Sequence, residues 1–368
     1  MRPNARLPES SVVIRPEPME SATYSQASRL QAAGLMPAIT LLEQAAQQVP
    51  LPRSPQPIVI ADYGAATGHN SLKPVAAAVD RLRRRTRDDH AIMVTHTDVP
   101  GNDFTTLFQT LADDPDSYLH QDPATFASAI GRSFYTQILP SNTVNLGWTS
   151  WAIQWLSRIP AGAPELADHV QVAYSKNMEA RAAYTRQAAT DWHDFLAFRG
   201  RELCPGGRLV VITMALDDHG EFGYRSMNDA LVAALKDQVR DGLLNPDELR
   251  RMAIPVVARS EKDFLAPFAP RGWFEGLTIE RLELFDAEDR FWSRFQSDGD
   301  AEAFGARWAA FARAALFPTL TTALHGGAKD PRAAEFIGQL EAAVAERLAG
   351  SPESMRIPLA ALVLAKRM

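Results

Sequence analysis

The chain has 368 residues and a formal net charge of −6, with 46% hydrophobic and 22% charged residues. This composition is ordinary for a globular protein of one elaborated domain or two, and the negative charge gives no electrostatic basis for binding nucleic acid. The single cysteine, Cys204, excludes an intrachain disulfide, and no apolar run approaches the roughly 18 residues that a membrane helix needs. We therefore expect a cytoplasmic protein whose partners include neither nucleic acid nor membrane.

The N-terminal region divides into two parts by composition. Residues 1–22 are rich in proline and carry no apolar stretch of the kind found in signal peptides, so we expect a mobile segment. Over residues 25–48 apolar side chains recur near helical spacing, which predicts a helix. Proline-rich residues 51–57 then connect this helix to a first strand.

A short β-branched run, residues 58–60, predicts a strand buried on both faces, as in a parallel sheet. Asp62 ends this strand, and Gly64 and Gly68 follow before a helix. The spacing is not Gly-x-Gly-x-x-Gly, which argues against a pyrophosphate cradle. S-adenosylmethionine (SAM) carries an ammonium and a sulfonium but no phosphate, so a carboxylate beside a glycine turn suits it. The same strand, loop and helix also occur in sheets that bind nothing.

A second strand with an acidic end follows the first helix. Residues 71–85 predict that helix, and residues 91–97 predict a strand that ends at Asp98. In nucleoside-binding α/β folds, an acidic residue at this place accepts the ribose hydroxyls. The alternative is that Asp98 only begins the turn Asp-Val-Pro-Gly-Asn-Asp, whose residue types favour a turn by themselves.

Three tryptophans, Trp148, Trp151 and Trp155, are separated by steps of three and four residues. This spacing predicts one face of a helix. An aromatic stripe of this kind is usually core, although nearby Asn145 and Gln154 also suit the wall of a small-molecule pocket.

The rest of the chain alternates helices with strands, and its helices gather after residue 218. Helices are predicted over residues 178–203, 226–244, 246–249, 304–324 and 333–348, and strands over residues 209–214, 276–285 and 356–365. This order indicates an α/β fold with a helical cap. We expect a mobile segment at 1–22, a cofactor-binding α/β core with an N-terminal gate helix at 23–218, a mainly helical cap at 219–330, and a helix and strand at 331–368 that return to the core.

Several motifs in the same order resemble the SABATH family of SAM-dependent carboxyl methyltransferases. Residues 23–31 resemble its Ser-Tyr-Ala-x-Asn-Ser-x-x-Gln, and residues 61–70 its Ala-Asp-Leu-Gly-Cys-Ser-x-Gly-Pro-Asn. Residues 98–108 nearly repeat its Asp-Leu-Pro-x-Asn-Asp-Phe-Asn-x-Leu-Phe. The resemblance covers residues 23–215 well and the rest loosely. It implies a class I methyltransferase fold, with a Rossmann-like sheet flanked by helices and an α-helical cap over the active site.

The resemblance also implies roles for individual residues. The SAM site would be lined by Tyr24, Ser28, Asp62, Gly64, Asn70, Asp98, Val99, Ser133 and Phe134. The cofactor would leave as the product S-adenosylhomocysteine (SAH). Gln31 and Trp155 would hold the substrate carboxylate as the catalytic pair. The substrate pocket would also include Trp148, Trp151, Gln154, Met214, Met227 and Asn228. The expected substrate is a small aromatic or isoprenoid carboxylic acid, and we expect a homodimer.

Departures from the family pattern favour a divergent, bacterial member. His69 replaces a proline of the family, and Ala27 replaces an asparagine. Where some plant members have an acidic metal contact, this chain has Arg250 and Arg251. We therefore expect no metal site.

The predicted chemistry needs no general base, because a carboxylic acid with a pKa near 4 is ionised at neutral pH. The amide of Gln31 and the indole N–H of Trp155 can fix one carboxylate oxygen and leave the other free to attack. A bidentate arginine would mask both oxygens. The alternatives are N-methylation within the same fold, a nicotinamide-dependent oxidoreductase, and a protein that binds SAM or another ligand without catalysis.

Overall fold

The computed structural model of the chain describes residues 35–166 and 168–368. Seven strands form a single mixed sheet in the order β3-β2-β1-β4-β5-β7-β6. The strands are β1 (Ile58–Tyr63), β2 (Ile92–Asp98), β3 (Thr125–Gly131), β4 (Val144–Ser150), β5 (Leu203–Met214), β6 (Leu277–Asp286) and β7 (Pro358–Lys366). The first five pair in parallel, whereas β7 lies antiparallel between β5 and β6. The predicted α/β fold is therefore confirmed.

Twelve α-helices are assigned within the described residues. They are α1 (Leu35–Gln48), α2 (Leu72–Arg83), α3 (Phe104–Asp113), α4 (Tyr118–Gln121), α5 (Met178–Glu202), α6 (Arg225–Arg240), α7 (Pro246–Arg251), α8 (Glu261–Leu265), α9 (Arg290–Asp298), α10 (Ala301–Ala315), α11 (Phe317–Thr321) and α12 (Ala333–Gly350). Short 3-10 turns cover His69–Ser71, Val172–Tyr174, Ala266–Phe268 and Gly327–Lys329.

The sheet is buried on both faces, as its apolar strands require. Alternate residues of a strand point to opposite faces, and β5 shows the consequence. Val210 and Ile212 belong to one apolar cluster, with α1 and α2, whereas Leu209 and Val211 belong to a second, with α5. Covering helices on both faces leave the ends of the strands as the place for a site.

The parallel strands bring the predicted acidic residues to one edge. Asp62 lies near the carboxyl end of β1, and Asp98 is the last residue of the neighbouring strand β2. The chain order reverses between β1 and β4, and ligands of open α/β sheets bind in the crevice at such a reversal.

The helices after residue 218, here called the helical layer, pack together, and their segment also contributes a strand to the sheet. Helix α12 packs against α10 and α6. At Gly305 of α10, an added Cβ would lie 2.2 Å from the carbonyl oxygen of Ala345, so only glycine allows this approach. The segment 219–330 also contains strand β6, which pairs with β7 in the sheet.

Two predictions about secondary structure are wrong. Trp148, Trp151 and Trp155 share no helix: Trp148 lies inside strand β4, and the other two lie in the loop that follows. Residues 304–324 do not form one helix either, because α10 ends at Ala315 and α11 restarts at Phe317. Strand β3 is not among the predicted strands, because its sequence contains only one large aliphatic residue, Ile130. The part of the predicted first helix before residue 35, and the predicted mobile segment 1–22, lie outside the described residues.

Candidate active site

A cavity of about 420 Å³ opens over the carboxyl ends of the parallel strands. One group of lining residues, the sheet side, comes from the ends of β1 and β2 and from the loops after β1, β2 and β3. It includes Asp62, Gly64, Asn70, Asp98, Val99, Ser133 and Phe134. A second group, the acceptor side, comes from the loop after β4, the end of β5 and the helical layer. It includes Trp151, Gln154, Trp155, Met214, Met227, Asn228, Ile254, Val256 and Phe311.

Gly64 allows the backbone to approach the cavity closely. It adopts a φ of +84°, and an added Cβ would lie 2.4 Å from the Cβ of Ala152. Its N–H donates to the carbonyl of Thr97 over 2.8 Å, which ties the turn to strand β2. Any side chain here would clash with the cavity wall and strain the turn.

Asp98 is held by the glycine turn. Its two carboxylate oxygens accept hydrogen bonds from the N–H groups of Ala66, at 2.8 Å, and Val99, at 2.7 Å. Burial raises the pKa of Asp98 to about 6, against the lowering effect of these two donors. Each oxygen keeps a lone pair for a further donor, so the carboxylate can accept hydroxyl groups of a ligand.

Ser133 and Phe134 lie on a loop that is fixed by a buried ion pair. Arg199 and Glu202 of helix α5 are fully buried and 2.8 Å apart. Arg199 donates to the carbonyl of Phe134 at 2.7 Å, and Glu202 accepts from the N–H groups of Ile138 and Leu139. Breaking a buried pair of this kind is strongly destabilising, so it fixes the loop firmly. The sequence showed both residues only as charges within a helix.

Trp151 is held in a strained conformation by its neighbours. Its φ is +56°, which is unusual for a residue with a large side chain. Its N–H donates to the carbonyl of Ile212, and its own carbonyl accepts from the side chain of Gln154 at 2.5 Å. The other end of that amide accepts from Thr213 at 3.2 Å. Gln154 lines the cavity, but its amide is already used to hold Trp151.

Trp155 is set by the same loop. Its carbonyl accepts from the hydroxyl of Tyr135 at 2.5 Å, and it forms a bridge with Val256. The residue is 8% exposed and lines the cavity, and no described residue accepts a hydrogen bond from its indole N–H. This N–H is therefore available to a ligand.

The acceptor side contains residues that sequence reasoning missed. Phe222, Tyr224, Ile254, Val256 and Phe311 line it, and they come from segments where the motifs are weakest. Within the described part of the chain, the buried indole N–H of Trp151 and the hydroxyl of Tyr224 have no hydrogen-bond partner. Unpaired buried donors are costly, so these two groups are a local cost of the fold at the edge of the cavity.

Trp148 is a correction to the predicted pocket. It is fully buried in β4 within the apolar core and does not line the cavity. Its position in the strand, beside Asp62 and Val210, directs it into core packing instead. The other predicted site residues from Asp62 onward line the cavity, and Tyr24, Ser28 and Gln31 lie outside the described residues.

The described ranges 35–166 and 168–368 contain neither a candidate metal-binding cluster nor a candidate membrane-spanning helix. They contain no group of three or more histidine, cysteine, aspartate or glutamate side chains placed to hold a metal ion. In the same ranges, every helix is too short or too polar to cross a membrane.

The sheet, its reversal at β1 and β4, and the acidic residues at the glycine turn define a class I, Rossmann-like methyltransferase fold. The SAM-dependent carboxyl methyltransferase family matches residues 14–357, and the chain belongs to this family. The predicted SABATH membership, enzyme class and cofactor are thereby confirmed. The protein is a SAM-dependent carboxyl O-methyltransferase that releases SAH, and the oxidoreductase alternative is excluded.

Individual relatives agree with this family. The chain is 28% identical over 250 residues to salicylate carboxymethyltransferase of Clarkia breweri, covering 66% of this chain and 67% of that protein. It is 30% identical over 258 residues to the Fusarium methyltransferase LUC1, covering 68% and 66%. A structure of loganic acid methyltransferase with SAH superimposes with a TM-score of 0.74 at 22% identity, covering 95% of this chain and 98% of that one.

Proposed function

We propose that the protein methylates a small, largely apolar aromatic or isoprenoid monocarboxylic acid to its methyl ester. The observation that carries this proposal is the composition of one cavity. The carboxylates of Asp62 and Asp98 lie on its sheet side, and two tryptophans, Trp151 and Trp155, lie among apolar side chains on its acceptor side. Relatives named for salicylate and loganic acid support an acid of this size.

The cofactor fits the sheet side. Asp62 and Asp98 supply negative charge for a ligand that bears a sulfonium and an ammonium, and Asp98 suits ribose hydroxyls. We assign cofactor binding to Tyr24, Ser28, Asp62, Gly64, Asn70, Asp98, Val99, Ser133 and Phe134. When bound, SAM supplies an electrophilic methyl group.

The acceptor side orients the acid. Trp155, together with Gln31, donates to one carboxylate oxygen, and the other oxygen remains free to attack. No lysine or arginine among the described residues lines the cavity, so the acid meets no permanently cationic side chain from the described residues. Met214, Met227 and Phe311 exclude water and restrict the acid's orientation. Alignment of this kind lowers the barrier without acid–base chemistry.

The test is a screen of carboxylic acids with methyl-labelled SAM, read by mass spectrometry of the esters. The panel includes benzoic, hydroxybenzoic and isoprenoid acids, with matched primary amines to test N-methylation. We expect label in the methyl ester of at least one acid and in no amine. Label transfer to amines alone would refute the proposal.

Two finer properties are part of the proposal. We propose a cytoplasmic location, which suits the free thiol of Cys204, the only cysteine of the sequence, and we also propose a homodimer. Light scattering after gel filtration would measure the mass directly, and a monomeric mass at micromolar concentration would contradict the dimer.

A further inference from the structure

Behind the sheet side of the cavity, three buried polar side chains are joined in a row by hydrogen bonds. His96 Nδ1 lies 2.7 Å from Asp62 Oδ2, and His96 Nε2 lies 2.8 Å from the hydroxyl of Tyr118. His96 and Tyr118 are fully buried and Asp62 is 1% exposed. Asp62 and His96 are direct partners in the pairing of β1 with β2, so the sheet itself fixes their separation.

The positions of the protons in these two hydrogen bonds follow from the chemistry of the three groups. Burial, with a smaller contribution from the charge of Asp62, raises the pKa of Tyr118 well above its usual value. The phenol therefore keeps its proton. An ionised carboxylate only accepts hydrogen bonds, so Nδ1 of His96 carries a proton and donates to Asp62. In a neutral imidazole the other nitrogen, Nε2, then accepts from the hydroxyl of Tyr118.

This arrangement uses only one oxygen of Asp62. No described residue donates to its Oδ1, and Asp62 lines the cavity. We propose that His96 is a positioning residue that orients the Asp62 carboxylate toward the ammonium group of the methionine part of the cofactor. The inference rests on the proposed role of Asp62, and Tyr118 acts through His96 by fixing its tautomer.

A pair of ligands separates this role from simple support of the fold. SAH carries the ammonium, whereas 5′-methylthioadenosine has the same adenosine and thioether but no amino acid part. If His96 acts through Asp62, His96→Leu weakens SAH by about tenfold, as for a charge-assisted hydrogen bond that loses its geometry. Binding of 5′-methylthioadenosine then changes by less than about twofold, which isothermal titration can resolve.

Three further variants complete the experiment. His96→Asn keeps a donor close to the place of Nδ1, so it restores part of the SAH affinity. Tyr118→Phe removes the bond that fixes the tautomer, and it weakens SAH by about threefold with no effect on the shorter ligand. His90→Leu removes another buried histidine, which bonds to Thr86 and Gln56 before β2, and serves as the matched control. It lowers the melting temperature but leaves the ratio of the two affinities unchanged.

The outcomes distinguish the inference from the function on which it rests. Equal weakening of both ligands in His96→Leu, or unchanged SAH affinity in folded His96→Leu and Tyr118→Phe, would overturn the positioning role. Failure of the unmodified protein to bind SAH would overturn the cofactor assignment itself. If His96→Leu does not fold, His96→Asn and Tyr118→Phe still decide the question through the same ratio.

Discussion

The substitution Trp155→Phe tests the proposed carboxylate clamp most directly. It keeps an aromatic ring in the loop after β4 but removes the indole N–H, which has no acceptor among the described residues. Losing one hydrogen bond to a charged group costs about 1.5–3 kcal/mol, which corresponds to a loss of about 10- to 150-fold in kcat/KM for the acid. SAM affinity stays nearly unchanged, because Trp155 is not assigned to the cofactor.

Packing effects need a matched control, because Trp155 is only 8% exposed and a smaller ring leaves space. Trp192→Phe makes the same change at another buried tryptophan, whose indole N–H donates to the carbonyl of Phe264 at 3.1 Å. Trp192 does not line the cavity. The variant Trp192→Phe therefore loses a comparable hydrogen bond and comparable packing, which together contribute about 1–3 kcal/mol of stability, and it leaves the proposed clamp unchanged.

The assay measures melting temperature, SAM affinity and steady-state kinetics on both variants, on Gln31→Ala and on Gln31→Ala combined with Trp155→Phe. We expect a lower melting temperature for both tryptophan variants and a lower kcat/KM for the acid only for Trp155→Phe. The double variant loses less than the sum of the single losses, because both residues share one partner. Normal kinetics in folded Trp155→Phe would refute the clamp and make this tryptophan a structural residue.

Three further predictions concern the sheet side of the cavity and the independence of the activity from metal ions. Asp98→Ala weakens SAM by at least about 1.5–3 kcal/mol, and unchanged affinity by titration would remove Asp98 from the cofactor site. The pKa of Asp98 is raised by burial to about 6 in the folded protein, against 3.8 for a free aspartate side chain, so the folded state binds this proton more tightly. Its contribution to the stability of the ligand-free protein is therefore complete below about pH 4 and is lost as the pH rises through about 6. Thermal melts of the protein and of Asp98→Ala from pH 4 to 8 measure the difference, and parallel profiles would contradict it. Treatment with a chelator leaves activity intact, and a loss that magnesium restores would show a metal requirement.

The sheet side of the site was predictable because its determinants are local. The run before Asp62, the two glycines and the turn after Asp98 each specify their conformation within about ten residues of sequence. Parallel pairing of β1 with β2 then brings the two carboxylates to one edge. The contact of His96 with Asp62 follows from the register of that pairing, which a single sequence does not reveal.

The acceptor side was less predictable because distant segments build it. Steps of three and four residues indicated a helix for the tryptophans, but Trp148 completes a strand, and Trp151 turns the chain with a positive φ. That turn is fixed by Ile212, 61 positions further along the numbering, and by Gln154. Tyr224 and Phe311 reach the cavity only through the packing of α6 and α10, for which the sequence contains no motif.

The unequal charge of the two sides has a reason in the reaction itself. Transfer of a methyl group from a sulfonium to a carboxylate removes one positive and one negative charge, so the transition state is less charged than the bound reactants. A cationic clamp on the acid would stabilise the reactants more than the transition state and slow the reaction. Neutral donors such as the indole N–H of Trp155 orient the acid with less of this penalty. The carboxylates of Asp62 and Asp98 can serve the cofactor safely only if they contact its ammonium and ribose, away from the sulfonium whose charge disappears. The fixed orientation of Asp62 by His96 is therefore expected to matter for affinity, and hardly at all for the rate of methyl transfer once both substrates are bound.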